Sequence, residues 1–346
     1  MSTSYKTLTV SHIKEEAPGV KEITFTQGAD QVTYKPGQYL TLVLPTKLGE
    51  IRRSYSITSA PALNEPLAVG VKRIPNGAFS RFLTDTLQVG DRLLTTGAGG
   101  FFTLPDELEK YKQVFFLAAG SGITPIFSLL KTVLYTCPDL KVVLVYSNST
   151  KERTMFREPL EQLAETFKDR LHIEFLYSNS ADLARARLHK ELLHDLLRTY
   201  AHAPFSETLF YICGPLNYRR LCFYTLRQAD VPLENIRREI FNTEQAMPVM
   251  LPPDTEPHHV TILFRGQEYR LEVQHPTTIL QAARAAGITL SYSCETGRCG
   301  NCVAKCTSGE VWMANNEVLT EKETAQGLIL TCVGYPVGGD AVIELD

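Results

Sequence analysis

The chain has 346 residues, enough for two or three domains of ordinary size rather than one. Its hydrophobic content of 44% and charged content of 21% are those of a globular protein, and a formal net charge of −3 excludes an electrostatic case for binding nucleic acid. The opening MSTSYKTLTV lacks a basic region followed by an apolar core, so a cytoplasmic protein is expected.

Residues 1–107 hold short alternating runs, TLTV, KEITFT, QYLTLVL, RSYSIT and LAVGVKR, separated by Gly, Pro and Asn. Period-two alternation between turn residues predicts an antiparallel β-barrel domain. Over residues 108–243 the pattern changes. The strand-like QVFFLAAG, KVVLVYSN, LHIEFLYSN and TLFYICG alternate with the helix-like FSLLKTVLYTC, FREPLEQLAETFK, KELLHDLLRTYA and YRRLCFYTLRQA. That alternation predicts an α/β domain whose parallel sheet is covered on both faces.

The uncharged run VFFLAAGSGITPIFSLL, residues 114–130, invites a membrane reading. Gly120, Ser121, Gly122, Thr124 and Pro125 in its middle suit strand, turn and helix better than one spanning helix. Residues 244–257 carry prolines at 248, 252, 253 and 257 without apolar period and read as a linker. Residues 258–346 run from a hairpin around Gly266 through the helix TTILQAARAAG into a cysteine loop. This order predicts a small α+β module, a mixed sheet packed on one helix.

Cys294, Cys299 and Cys302 are spaced C-x4-C-x2-C, and Cys332 follows after 29 residues. That spacing is the plant-type ligand pattern of a [2Fe–2S] cluster. Two irons need four thiolates from several directions, and a loop can supply three of them only by wrapping. Gly297 and Gly300 permit such wrapping. Zinc would call for paired C-x2-C knuckles, of which there is one, and disulfides suit a secreted chain better. Cys137, Cys222 and Cys306 fall outside the pattern and read as packing residues. HKELLH, residues 189–194, has the wrong spacing for two zinc ligands on one helix face.

RRSYSIT, residues 52–58, contains Arg53, Ser54, Tyr55 and Ser56 as R-x-Y-S, and Gly77 to Ser80 follow as G-x-x-S. An Arg for a pyrophosphate, a Tyr ring for a flat heterocycle and a Gly-to-Ser turn for a phosphate read together as a flavin-nucleotide site. The plainer alternatives are a half-buried strand aromatic and a solvated charge. LAAGSGITP, residues 117–125, follows a strand and opens a helix, so Gly120, Gly122 and Thr124 can present N–H groups to a dinucleotide pyrophosphate. Pro125 stands where G-x-G-x-x-G has its last glycine. Cys213 and Gly214 end a strand, where ligands of parallel sheets collect.

In the order R-x-Y-S, G-x-x-S, G-x-G-x-T-P, C-G-P and C-x4-C-x2-C, these motifs make the whole chain resemble the ferredoxin–NADP⁺ reductase superfamily carrying a C-terminal β-grasp, plant-type ferredoxin domain. Within it the resemblance is to reductase components of bacterial oxygenases of the phenylacetyl-CoA epoxidase reductase type. The resemblance implies flavin contacts at Arg53, Ser54, Tyr55, Ser56, Lys72, Gly77 and Ser80. It implies nicotinamide-side contacts at Gly120, Gly122, Thr124, Pro125, Cys213 and Gly214, with Glu239 and Phe241 as an E-x-F near the flavin. Ser56, Cys213 and Glu239 are then expected around the reacting atoms. FAD is implied, although FMN-using relatives share R-x-Y-S.

Ser147, Ser149, Lys151 and Arg153 follow a strand that ends without a carboxylate, which favours NADPH while leaving NADH open. The expected reaction is NAD(P)H-dependent electron transfer through FAD and [2Fe–2S] to an oxygenase component. A general diaphorase and a nicotinamide-responsive redox sensor are the alternatives. Residues 258–346 carry ten acidic and six basic side chains, a balance suited to a basic patch on the acceptor.

Overall fold

The computed structural model describes residues 5–28, 31–46, 49–241 and 251–345. Residues Tyr5–Ala98 and Phe102–Glu239 form one compact unit. Its first layer is a six-stranded sheet of β1 (Lys6–Ala17), β2 (Val20–Gln27), β3 (Tyr39–Thr46), β4 (Gly49–Ser56), β5 (Ala68–Lys72) and β6 (Arg92–Gly99), in the order β4-β3-β6-β1-β2-β5. The pairings of β1 with β2 and β6, of β2 with β5 and of β3 with β4 are antiparallel. The alternating runs place Leu8, Val10, Ile23, Phe25, Leu40, Leu42 and Val69 in one fully enclosed core. The helix α1 (Ala78–Arg81), continued by a π-helical turn over Phe82–Thr86, covers one end of that core through Phe79 and Leu83.

The second layer is the parallel sheet β11-β10-β7-β8-β9, from β7 (Gln113–Ala119), β8 (Lys141–Asn148), β9 (Leu171–Tyr177), β10 (Thr208–Cys213) and β11 (Ile236–Glu239). Residues on β7 and β10 alternate between two cores. Phe115, Leu117, Phe210 and Ile212 face one, and Phe116, Ala118, Tyr211 and Cys213 the other. Two covered faces explain why both strands read as continuous apolar runs. The helices are α2 (Ile123–Thr136), α3 (Arg157–Thr166), α4 (Leu183–Ala186), α5 (Lys190–Tyr200) and α6 (Leu216–Gln228).

Helix α2 is buried at every residue from Ile123 to Leu134 because it lies between the two layers. Ile126, Leu129, Leu130 and Val133 pack on the parallel sheet, while Ser128 Oγ donates to the Ser59 carbonyl at 2.6 Å and Lys131 pairs with Glu65 on the barrel side. The uncharged run of residues 114–130 is thus β7, a turn and the first half of this interlayer helix. Among the described residues no helix is long and apolar enough to cross a membrane.

Gly99–Phe101 and the chain from Ile240 form a second unit. It contains a mixed five-stranded sheet, β13-β12-β18-β14-β16, and a two-stranded one, β15-β17. The strands are β12 (His258–Phe264), β13 (Gln267–Val273), β14 (Val303–Ser308), β15 (Val311–Met313), β16 (Leu328–Leu330), β17 (Gly334–Pro336) and β18 (Ala341–Leu345). Helix α7 (Ile279–Ala285) starts with a capping box between Thr278 and Gln281, and α8 (Glu321–Ala325) with one between Thr320 and Glu323. Ile279, Leu280 and Ala283 of α7 pack on Val260, Ile262 and Ile343 of the sheet. Of the expected linker, residues 244–250 lie outside the described residues. In its remainder, Asp254 accepts hydrogen bonds from His258 at 2.6 Å and from the Gly338 amide at 2.8 Å.

Candidate functional site: a nucleotide cavity, a flavin cradle and a thiol cage

Four cysteines meet in the second unit. Cys294 lies within hydrogen-bonding reach of Cys299 and Cys332, and Cys332 within reach of Cys302. These bonds pull the Cys294 and Cys302 thiols below the ordinary range and push Cys299 and Cys332 above it. All eight cysteines of the chain are free thiols. Among the described residues no group of three or more His, Cys, Asp or Glu is arranged around a single metal ion. The contacts run as a chain from Cys299 to Cys294 to Cys332 to Cys302, which brings all four thiols together.

The wrapping of the loop has a definite basis. Gly297 has φ +74, and a Cβ there would stand 2.6 Å from the Asn315 carbonyl oxygen. The amides of Thr296 and Asn301 point at the sulfurs of Cys294 and Cys299, at 3.4 and 3.5 Å. Thr296 Oγ1 and Asn301 Nδ2 are buried without a partner in the protein. Donors buried and unanswered beside thiolates fit an anionic cluster, which would accept from them.

On β4, neighbouring arginines take opposite roles because successive residues face opposite ways. Arg52 is 6% exposed and ion-paired with Glu50 at 2.6 Å. Arg53 is exposed, its Nη1 donating to the Arg52 carbonyl at 2.8 Å. Tyr55 shares the face of Arg53 and lies 6.0 Å from the Phe79 ring, and burial pushes its phenol up against the opposing pull of Arg53. Ser54 turns to Thr41, with hydroxyls 3.1 Å apart, and Ser56 is 4% exposed. The Ser80 hydroxyl accepts from the Ile74 amide at 3.2 Å and donates to the Gly77 carbonyl at 3.1 Å. A Cβ at Gly77 would meet that hydroxyl at 2.5 Å.

A cavity of about 550 Å³ opens at the carboxyl ends of the parallel strands. Ala119, Gly120 and Ser121 line it from the turn after β7, and Ser147, Asn148, Ser149 and Arg153 from the segment after β8. Ser178 and Arg187 come from beyond β9, and Asn217 and Tyr218 from α6. Lys72, expected at the flavin, lies on the wall of this cavity. Ser147 Oγ, Asn148 Nδ2 and Tyr218 OH are buried there without a well-formed hydrogen-bond partner, as a polar ligand's site would leave them.

The turn after β7 is held tightly. Gly120 has φ +54, and its carbonyl accepts from Tyr146 OH at 3.0 Å. A Cβ at Gly122 would stand 2.1 Å from the Cys213 carbonyl oxygen. Thr124, 3% exposed, donates to the Ser121 carbonyl at 2.9 Å and packs on Gly70 of the barrel. Pro125 sits in the first turn of α2, where its missing N–H costs nothing.

Cys213 and Glu239 are paired across β10 and β11. Burial raises the Cys213 thiol far above its ordinary value, with the Glu239 charge adding to it. Burial pushes Glu239 up to about 8, opposed by Arg219. Arg219 is itself buried and donates to the Gly214 carbonyl at 3.1 Å. Phe241 follows the strand and is 44% exposed. Arg187, Ser178, Tyr218 and Arg219 went unread in the sequence because they lie on loops and a helix outside the short motifs.

Comparison with known proteins agrees with this geometry. Residues 7–104 match the family model for an oxidoreductase FAD-binding domain, 116–221 that for an oxidoreductase NAD-binding domain, and 262–337 that for a 2Fe-2S iron-sulfur cluster binding domain. The ferredoxin reductase component of 3-ketosteroid-9-alpha-monooxygenase from Rhodococcus rhodochrous is 32% identical over 97% of this chain and 96% of its own. A component of 1,2-phenylacetyl-CoA epoxidase from Escherichia coli (strain K12) is 30% identical over 99% of this chain and 98% of its own. Among solved structures, phthalate dioxygenase reductase superposes with a TM-score of 0.60 at 21% identity, over 99% of this chain and 98% of that one. The protein therefore belongs to the ferredoxin–NADP⁺ reductase superfamily, among the oxygenase reductase components built of FAD-binding, NAD-binding and [2Fe–2S] domains.

Proposed function

We propose that this protein takes a hydride from NADPH in the cytoplasm and delivers electrons singly to an oxygenase or hydroxylase component, such as that of a phenylacetyl-CoA epoxidase. The observation that carries the choice of nucleotide is the cavity wall. Lys72, Arg153 and Arg187 line it and no carboxylate does. Lys72, Arg153 and Arg187 are all exposed there, whereas Arg157 and Arg185, nearby in the sequence, are held by Glu161 and Glu174. A ribose 2′-phosphate asks for cations at this place, and a free 2′-hydroxyl for a carboxylate. Ser149 and Ser178 would add hydroxyl donors to the same phosphate.

Arg53 would pair with the flavin pyrophosphate, Tyr55 would lie against the heterocycle, and the Gly77–Ser80 turn would hold a phosphate. Gly120, Gly122 and Thr124 would shape the turn that receives the nicotinamide dinucleotide, with the positive end of α2 behind it. Cys213 would present a neutral buried thiol that excludes water from the hydride path. Glu239, neutral at pH 7, would hold a proton there, and Arg219 would fix its carboxyl. Bound FAD supplies the change from a two-electron to a one-electron carrier, and a [2Fe–2S] cluster supplies the one-electron store. Cys294, Cys299, Cys302 and Cys332 would hold that cluster.

The test is the ratio of kcat/KM for NADPH over NADH with ferricyanide as acceptor. A ratio of about ten or more is expected, reduced severalfold or more by Arg153→Gln or Arg187→Gln, since a charge-assisted contact contributes roughly 1.5–3 kcal/mol. A wild-type preference for NADH would overturn the reading.

A further inference from the structure

Tyr146 stands two residues before the end of β8 and is wholly enclosed. Its hydroxyl donates to the Gly120 carbonyl at 3.0 Å. The Met155 amide and, less ideally, the Asn148 side chain are donors to the same oxygen. A phenol has one proton to donate, and with donors at its lone pairs that proton belongs to Gly120. Burial holds the phenol far above its ordinary range, so the proton stays in place at any working pH. Gly120, Asn148 and Met155 all line the nucleotide cavity, the first on the turn after β7 and the others at and beyond the end of β8. One buried hydroxyl thus joins two walls of that cavity from behind.

The Gly120 carbonyl is the part of the turn that needs holding. Gly120 has φ +54, and a glycine lets the peptide that follows it rotate at little cost. The Ile123 amide serves the carbonyls of both Gly120 and Ser121, and one N–H shared between two acceptors fixes neither firmly. A hydroxyl completes each, Tyr146 for Gly120 at 3.0 Å and Thr124 Oγ1 for Ser121 at 2.9 Å. Because Tyr146 is enclosed, its bond draws the Gly120 carbonyl into the protein. Amide N–H groups attract a phosphate and carbonyl oxygens repel it, so anion binding in this turn depends on which end of that peptide faces the cavity.

We propose that Tyr146 is a positioning residue of the nucleotide site, whose hydroxyl keeps the Gly120 carbonyl turned away from the dinucleotide pyrophosphate and ties that turn to the wall at Asn148 and Met155. The inference rests on the reading of this cavity as the pyridine-nucleotide site. The pyrophosphate is common to NADPH and NADH, so the effect is the same for both and leaves the preference between them unchanged.

The experiment is steady-state ferricyanide reduction by the full-length holoprotein, wild type and Tyr146→Phe, with NADPH and with NADH, and with NADP⁺ and NAD⁺ as competitive inhibitors. Phenylalanine fills the same space, and flavin content is counted in each preparation. KM for both nucleotides and the inhibition constants of their oxidised forms should rise by one common factor of about three- to tenfold, the worth of one neutral hydrogen bond, while kcat stays within twofold. KM values within twofold of wild type, whatever the melting temperature, would make Tyr146 a packing residue and overturn the proposal. So would a fall in kcat larger than the rise in KM, a rise for one nucleotide only, or loss of the folded flavoprotein in this space-filling variant. Wild-type turnover that neither NADP⁺ nor NAD⁺ inhibits would instead sink the reading of the cavity itself.

Discussion

Cys213 and Glu239 stand side by side at the carboxyl ends of β10 and β11, both buried, with Arg219 the cation acting on both. Two acidic groups and one cation in a site closed to water make charge there expensive. The pair is consequently neutral on both members at pH 7.

The first prediction concerns pH. The folded-state carboxyl of Glu239 holds its proton up to about 8, against 4.5 for an ordinary glutamate. The folded chain therefore binds more protons than the unfolded one between these values, and stability from this group, complete below pH 4.5, is lost as pH rises through 8. Glu239→Gln keeps the neutral form at every pH. Its melting temperature relative to wild type should rise between pH 5 and pH 9, by roughly 2–4 °C for each kcal/mol in a unit of this size. A pH-independent difference in paired thermal scans would show that Glu239 is not the titrating group. The alkaline limb near pH 8 in the rate of NADPH-dependent ferricyanide reduction should also be lost.

The second contrasts neighbours. Arg53→Ala removes an exposed cation and should leave the unfolding free energy of the flavin-free protein within about 1 kcal/mol of wild type. It should weaken FAD retention about ten- to hundredfold, the worth of one charge-assisted contact. Arg52→Ala removes the buried stem of Arg52 and should cost about 1–3 kcal/mol through lost packing, since Glu50 is exposed and keeps its bond from Tyr5. Flavin release measured by fluorescence, set beside thermal unfolding, separates the two effects.

The layers were legible in the sequence because their periods differ. QVFFLAAG and TLFYICG are β7 and β10 within a residue or two, and both were apolar throughout because both faces are covered. β11 was not legible. IRRE carries two arginines in four residues and becomes a strand only by lying beside β10 in parallel register. The same limit governed the site. Cys294 to Cys332 and the R-x-Y-S run could be read because their chemistry fixes a spacing. Arg187 reaches the cavity, and Arg219 the Cys213–Glu239 pair, only through a fold that brings distant segments together, and Arg298 had no visible partner until Glu317, 19 residues on, closed over it. Lys72 ends β5 and lines the cavity at the ends of the parallel strands, a placement that no spacing in the sequence shows.

The third prediction is for the cage. Cys299→Ser should lower iron from about two per chain and abolish electron delivery to cytochrome c while NADPH-dependent ferricyanide reduction stays largely intact. Equal survival of both activities would take the cluster off the route. Cys306→Ser offers the control. Cys306 is only half-buried and its thiol donates to the Ser308 carbonyl at 3.3 Å, so its loss should leave iron content unchanged.

The fourth separates two glycines of one turn. At Gly120 the backbone is left-handed, with φ +54, and a Cβ meets no protein atom within 4 Å. Gly120→Ala should therefore cost about 1 kcal/mol in stability, the strain of that conformation, and show its main effect as a raised KM for NADPH because the new methyl points into cavity space. At Gly122 the backbone is ordinary, yet a Cβ would stand 2.1 Å from the Cys213 carbonyl oxygen, an atom fixed by the strand end and unable to give way as a flexible side chain could. Gly122→Ala must push the turn off β10, at a cost of about 1–3 kcal/mol or more, and in doing so moves Cys213 relative to Glu239. Its signature is a fall in melting temperature together with a fall in kcat, whereas Gly120→Ala should change KM with kcat nearly held. Steady-state kinetics and thermal scans on the two variants check this, and the reverse assignment would mean that the turn is held by something other than its approach to Cys213.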